Sequence, residues 1–237
     1  MLVLAALPAQ AQTAVKQQRG WFSVSGGVQI ASNGFSDAFD LPLYTEQEHV
    51  TVDYPVKNGQ VITASGGYRV WRKLSLGLGY SGYTQSGDAT VKASLPHPFF
   101  DKTFRNIEGT TRARRTEHGA HLLIGFMLPL SDRMRLLLTA GPSIVSVGQT
   151  FVSSVRFSET FPYDTAEFTG TDAKNESSTA AGFNAGADFF WMLSRSVGLG
   201  GLAQVTHART RLDAGNGRRV SVDAGGAQIA AGLRVLF

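Results

Sequence analysis

Leu74-Ser-Leu-Gly-Leu-Gly-Tyr-Ser81 is the stretch that decides how this chain is read. In an extended backbone, Leu74, Leu76, Leu78 and Tyr80 fall on one side, and Ser75, Gly77, Gly79 and Ser81 on the other. A helix would scatter the same residues around its axis. The segment reads as a strand with one apolar face.

The same two-residue beat appears on both sides of it. Upstream, Phe22, Val24, Val28 and Ile30 oppose Ser23, Ser25, Gly27 and Gln29, and Ile62, Ala64, Tyr68 and Val70 oppose Thr63, Ser65, Gly67 and Arg69. Downstream, one apolar face holds Leu122, Ile124, Phe126 and Leu128. A weaker one holds Leu136, Leu138, Ala140 and Ile144, where Leu137 and Pro142 blur the beat. Phe183, Ala185, Ala187, Phe189 and Trp191 then oppose Asn184, Gly186 and Asp188. Val197, Leu199, Ala203 and Val205 oppose Gly198, Gly200, Gln204 and Thr206. Last, Ala227, Ile229, Ala231, Leu233, Val235 and Phe237 oppose Gln228, Gly232 and Arg234.

No Asp, Glu, Lys or Arg sits on the apolar face of these eight segments, whereas the opposite faces carry Arg69, Arg135, Asp188 and Arg234. A charge on the lipid face of a membrane barrel costs roughly 2–4 kcal/mol at mid-bilayer, so lipid contact explains the asymmetry. The connections alternate too. Tight turns are expected near 71–74, 129–134 and 193–196, and long polar loops over 32–60, 87–117, 150–178 and 207–219. Short turns on one side and long loops on the other is how outer-membrane barrels are strung. The expectation is an all-β, closed, antiparallel, up-and-down transmembrane barrel of eight strands. If the segment around His49-Val-Thr-Val-Asp-Tyr-Pro-Val56 forms a hairpin that spans the membrane, the barrel has ten.

Bulk composition agrees. Mean hydropathy is −0.04, and no run of about 20 apolar residues exists to form a membrane helix. Membrane barrels stay near neutral because half of each strand faces inward. Glycine is abundant, 27 of 237 residues, and cysteine is absent, which removes disulfides and thiolate metal sites. The net charge of +4 comes without any nucleic-acid motif, so no nucleic-acid partner is expected. At the N-terminus, Met1-Leu-Val-Leu-Ala-Ala-Leu7 and Ala9-Gln10-Ala11 read as the core and cleavage site of a signal peptide over 1–11. A polar lead-in over 12–20 and the barrel over 21–237 follow. Trp21, Trp71 and Trp191 fall at the expected periplasmic ends. Only Trp191 is in the lipid-facing phase; the other two are either turned outward at the strand ends or plain rim residues.

The closing segment, Gly225-Gly-Ala-Gln-Ile-Ala-Ala-Gly-Leu-Arg-Val-Leu-Phe237, resembles the C-terminal strand of bacterial outer-membrane barrels. With the strand rhythm of 21–237 and Gly66-Gly-Tyr-Arg-Val-Trp-Arg-Lys-Leu-Ser-Leu-Gly-Leu-Gly-Tyr80, the chain is similar to the outer-membrane β-barrel-domain group of OmpA-like eight-stranded proteins. Leu95-Pro-His-Pro-Phe-Phe100, Gly141-Pro-Ser143 and Phe161-Pro-Tyr-Asp-Thr165 suggest a distinct subgroup. The resemblance implies the bacterial outer membrane, and implies that Leu233, Val235 and Phe237 are the signal read by the barrel-assembly machinery.

Chemistry-bearing motifs are few. Gly77-Leu-Gly-Tyr-Ser-Gly82 matches a dinucleotide fingerprint in letters only, because the alternation runs straight through it instead of turning into a helix. His118 and His121 are three apart, on opposite faces of a strand, and no His-x-Ser set of a lipid A deacylase is present. No enzyme activity, metal or cofactor is expected. Two sets of residues remain. Arg69, Asp188, Gln204, Gln228 and Arg234 face inward, and an eight-stranded lumen is just wide enough for side chains to fill. They are expected to form a structural polar network. Arg112, Arg114, Arg115, Arg209, Arg211, Arg218 and Arg219 lie in or beside the long loops, as possible contacts for lipopolysaccharide phosphates. The favoured role is structural or surface interaction with a filled lumen. The alternatives are a narrow passive channel for small solutes or ions, and a lipocalin-like carrier of apolar ligands. Oligomeric state is not determined by the sequence.

Overall fold

The computed structural model describes residues 18–31, 34–215 and 217–237. The signal peptide read over 1–11 lies outside them. Ten strands form one antiparallel sheet: β1 (Gly20–Ala31), β2 (Phe35–Leu43), β3 (Glu46–Tyr54), β4 (Gly59–Trp71), β5 (Leu74–Pro96), β6 (Phe104–Pro129), β7 (Met134–Glu159), β8 (Ala166–Met192), β9 (Val197–Gly215) and β10 (Arg218–Leu236). Eight of them close a ring. β1 pairs with β4 and with β10, so the first and last strands meet and no edge is left inside the bilayer. Phe237 locks that seam: its carbonyl accepts the N–H groups of Arg19 and Gly20, both at 2.7 Å, and its own N–H donates to Gly20 O at 3.0 Å.

The ring is therefore eight-stranded, and the ten-strand alternative is corrected. The segment containing His49 does form a hairpin, β2–β3, but it stays out of the ring. β3 pairs with the outer stretch of β5, Asp53 opposite Thr90 and His49 opposite Ser94, above the point where β4 has ended. In the ring, outward side chains are apolar as expected: Phe22, Val24, Ile62, Leu76, Leu78, Ile124, Ile144, Phe183, Leu199 and Ile229 are all exposed. Residues 21–30 of β1 cover roughly 23 Å along the axis at the usual strand tilt, close to the apolar band of such barrels.

The long polar segments are not loops. β5 and β6 stay paired from Leu74↔Phe126 to Pro96↔Phe104, and β7 and β8 from Met134↔Trp191 to Glu159↔Ala166. The real turns are short, 97–103 and 160–165. From Gly82 outward, β5 rises roughly 35 Å beyond the lipid band. Its side-chain polarity also inverts there. Even-numbered residues of β5 point outward throughout, but the apolar set passes from Leu74, Leu76, Leu78 and Tyr80 to the inward Ala89, Val91, Ala93 and Leu95. Below the bilayer surface the outside is lipid; above it the outside is water and the inside must be dry. The result is an apolar core within the projection, built on Val50, Val52, Tyr54, Val91, Leu95, Val147, Phe151 and Leu212.

A second, smaller apolar layer closes the periplasmic end of the lumen: Trp21, Leu123, Leu137, Phe190, Met192 and Leu236. Trp21 is thus inward and buried, not a rim residue. Its indole lies over Gly67 and Gly77, where a Cβ would come within 2.9 and 3.1 Å of the ring. Of the fingerprint-like glycines, Gly77 makes room for this lumen side chain. Trp71, by contrast, faces out.

Candidate functional site

Between the two apolar layers the lumen is filled by polar side chains, rising outward along β1 from Ser23 to Gln29. Arg234, fully buried, donates from Nε to Asp188 Oδ1 at 2.8 Å and from Nη1 to Ser25 Oγ at 2.7 Å, while Ser23 donates to Asp188 Oδ2 at 3.1 Å. Gly200 opposite leaves the space, since a Cβ there would lie 2.7 Å from Arg234 Nε. Further out, the His121 ring bridges Ser81 Oγ and Ser143 Oγ, both at 2.8 Å. Beside it, Asn184 Nδ2 donates to Ser143 Oγ at 2.8 Å and to Gly141 O at 3.0 Å. Asn184 thereby serves a carbonyl next to Pro142, whose missing N–H interrupts the β6–β7 ladder.

The outermost polar layer is a charge pair with amide partners. Arg115 Nε donates to Glu117 Oε1 at 2.8 Å. Glu117 Oε2 accepts from Gln29 Nε2 at 3.1 Å and from the Gly225 N–H at 2.9 Å. Gly225 has φ +91°, a left-handed backbone that favours glycine, and its N–H reaches the lumen from that bend. Gln228 Nε2 donates to Gln29 Oε1 at 2.8 Å.

Of the inward set read from sequence, Asp188 and Arg234 are in direct contact and Gln228 belongs to the outer layer. Gln204 is half-buried and donates from Nε2 to Thr206 Oγ1 at 3.4 Å. Arg69 is separate, at the periplasmic mouth, where it donates to Gln18 O. Glu117, Gln29, His121 and Asn184 complete the lumen layers outside that set. Gln29 and Asn184 carry the inward phase in the sequence, whereas Glu117 falls in a polar stretch that reads as loop.

The arginine set divides. Arg112, Arg114, Arg209, Arg211 and Arg219 point outward and are exposed, with Arg209 Nε 3.4 Å from Asp223. Arg115 is buried in the lumen, so it is not a surface contact. Arg218 is held by Asp37 at 2.7 Å and stacks over Phe39 at 3.9 Å, which turns it into the projection. Leu233 and Phe237 lie on the lipid face, with Val235 between them half-buried.

At the far end, three turns meet in one tip. Arg105, buried, binds Glu159, the Tyr163 carbonyl at 3.0 Å and the Pro96 carbonyl at 2.8 Å. Tyr44 from the β2–β3 turn donates to the same Glu159, and Glu46 Oε1 accepts the Lys102 N–H at 3.0 Å. His97 Nδ1 accepts the N–H groups of Phe99 and Phe100. Tyr163 then packs against Phe99 at 5.6 Å and edge-on to Phe161 at 6.0 Å. Burial would raise the Glu159 carboxyl, but Tyr44 and Arg105 outweigh it and hold it below the usual range. The outcome is a braced platform whose outer surface is aromatic: Phe99, Phe100 and Phe161 are 69%, 61% and 82% exposed.

No family model and no curated sequence matches the chain. Among solved structures it is similar to the outer membrane protein OprG of Pseudomonas aeruginosa, at 12% identity and TM-score 0.49, covering 93% of this chain and 97% of that one. It is also similar to Neisserial surface protein A, at 11% identity and TM-score 0.46, covering 92% and 96%. A third is Ail, the attachment invasion locus protein of Yersinia pestis, at 12% identity and TM-score 0.35, covering 91% and 99%.

Proposed function

We propose that this outer-membrane β-barrel acts by surface interaction and not by passing solutes or by catalysis. The observation that carries the reading is the braced aromatic tip. Three exposed phenylalanines stand roughly 35 Å above the lipid on a projection with its own apolar core. Exposed aromatic clusters in water are unfavourable unless they serve contact. Below it the lumen is filled from Trp21 to Phe151, which supports a scaffold over a channel. A lipocalin-like carrier has less support, because the apolar face of the ring is turned outward.

Lipid and lipopolysaccharide are the proposed immediate surroundings. Arg112, Arg114, Arg209, Arg211 and Arg219, outward above the band, are the proposed contacts for lipopolysaccharide phosphates. Replacing these five with Gln is expected to weaken binding of purified lipopolysaccharide to the refolded barrel; equal binding would remove them from that role. The barrel-assembly machinery is proposed to read Leu233, Val235 and Phe237.

Two experiments test the function. Purified protein in planar bilayers is expected to give no conductance steps, and reproducible steps would favour the channel instead. Cells displaying the chain are expected to adhere to phenyl-functionalised beads, with most of that adhesion lost in Phe99→Ser/Phe100→Ser/Phe161→Ser. Undiminished adhesion by a variant displayed at the same level would overturn the tip's role.

A further inference from the structure

At the periplasmic end, beneath the Trp21 layer, the ring opens into a vestibule of about 1040 Å³. Its wall carries Arg19, Arg69, Arg72, Lys73, Arg135 and Arg195 against one carboxylate, Asp132. Among the described residues none of these six cations forms an ion pair. Arg72 and Lys73 also lie over the Trp71 and Phe126 rings, at 5.5 and 6.0 Å. Arg69 and Arg135 have no such relief. Both are half-buried, and both turn to the neutral oxygens of one residue: Arg69 to Gln18 O and Arg135 to Gln18 Oε1 at 3.3 Å. Residues 1–17 hold one Lys and no Asp or Glu.

A second observation points the same way. Trp21 Nε1 and Ser75 Oγ are buried polar atoms without a hydrogen-bond partner, and both residues line this vestibule. Buried donors are normally satisfied, and converging guanidinium groups normally enclose an anion. We propose that the vestibule binds a small multivalent oxyanion of the periplasm, bearing phosphate or carboxylate groups. Arg69 and Arg135 are its chief partners, and the Trp21 indole N–H and Ser75 hydroxyl are donors at the floor. The site is a dead end: above it the apolar layer and the Arg234–Asp188 pair close the lumen. It binds; it does not conduct.

Trp21 supplies the readout. In a Trp71→Phe/Trp191→Phe background it is the sole tryptophan, folded in uncharged maltoside micelles at fixed ionic strength. Sodium pyrophosphate and sodium citrate are titrated separately, with sodium chloride as control. A saturable change in Trp21 emission is expected with one of the two, and the stronger probe tells phosphate from carboxylate. In Arg69→Gln/Arg135→Gln the affinity is expected to fall about tenfold or more. If that variant loses its heat-modifiable fold, Arg19→Gln/Arg195→Gln at the rim takes its place, with a severalfold loss. Three results overturn the proposal: a response no different from chloride, unchanged affinity in folded variants, or a response only to added phosphatidylglycerol.

Discussion

Arg234 is the residue on which the middle of the barrel turns. It is fully buried, and its guanidinium meets Asp188, Ser25 and, at 5.8 Å, the Phe190 ring. Removing one member of a buried pair strands the other, typically at a cost of about 3–5 kcal/mol. Asp188→Ala is expected to lower the unfolding free energy measured in urea by that order, with a lower midpoint, while leaving conductance at zero. The double change Asp188→Leu/Arg234→Met is expected to be milder than either single one, because no charge is then left behind. An unchanged midpoint in Asp188→Ala would show that the pair is idle. Glu159 makes a pH prediction of definite sign. Its carboxyl titrates below the ordinary 4.5 in the folded tip, so its stabilisation is complete above that value and fades as pH falls through the lowered one. Amide protection in the 160–165 turn, relative to the intrinsic exchange rate, should hold at pH 5 and be lost only as pH falls below the ordinary 4.5. Protection already lost at pH 6 would contradict the Tyr44–Glu159–Arg105 arrangement.

At the scale of elements, the β2–β3 hairpin is an addition to the ring and not a part of it. β1 and β4 remain paired to Gln29↔Gly59 beneath it, so a tight turn replacing 30–58 leaves the ring's register intact. The shortened chain is expected to keep heat-modifiable migration. Its β5–β6 and β7–β8 extensions should become sensitive to added protease, because Val50, Val52 and Tyr54 would no longer cover Val91 and Phe151. Loss of the folded band would show that the hairpin is needed for closure. The terminal strand carries the opposite expectation. The Phe237 ring packs where Gly20 has no side chain, a Cβ at Gly20 falling 2.2 Å from it. Gly20→Val should therefore disturb the seam between β1 and β10 that closes the ring.

Over the whole molecule, three environments are stacked along one set of strands. The periplasmic mouth is cationic, the bilayer section is apolar outside and polar inside, and the projection is polar outside and apolar inside. This order explains why a chain of near-neutral hydropathy has two apolar cores inside it. It also explains how a filled lumen coexists with an exposed tip: the strands are long enough to serve both. β8 and β9 part at Gly182↔Ala208, where the closed ring gives way to an open projection. Above that point, among the described residues, side chains bridge them, as in the Ser178 and Thr210 hydroxyls at 2.8 Å.

The sequence by itself determined the membrane section. A lipid-facing side chain must be apolar, so Leu74 to Tyr80 and their counterparts announced strand, phase and ring, and the inward positions of Asp188 and Arg234 followed from the phase. It misplaced the rest for a physical reason. Polar side chains facing water look alike on a loop and on the outer face of a strand, so Arg112 to Glu117 read as loop although Arg115 and Glu117 are lumen residues. Trp21 shares the inward phase of Ser23 and Ser25 but reads as a rim residue because it opens the first strand; only the distant strands packed around it show that it is buried. The tip, the vestibule and the place of the β2–β3 hairpin come from contacts between segments far apart in the chain. Tertiary structure alone brings Arg69 to Arg135 and Tyr44 to Glu159, since no local pattern records which distant strand will lie alongside.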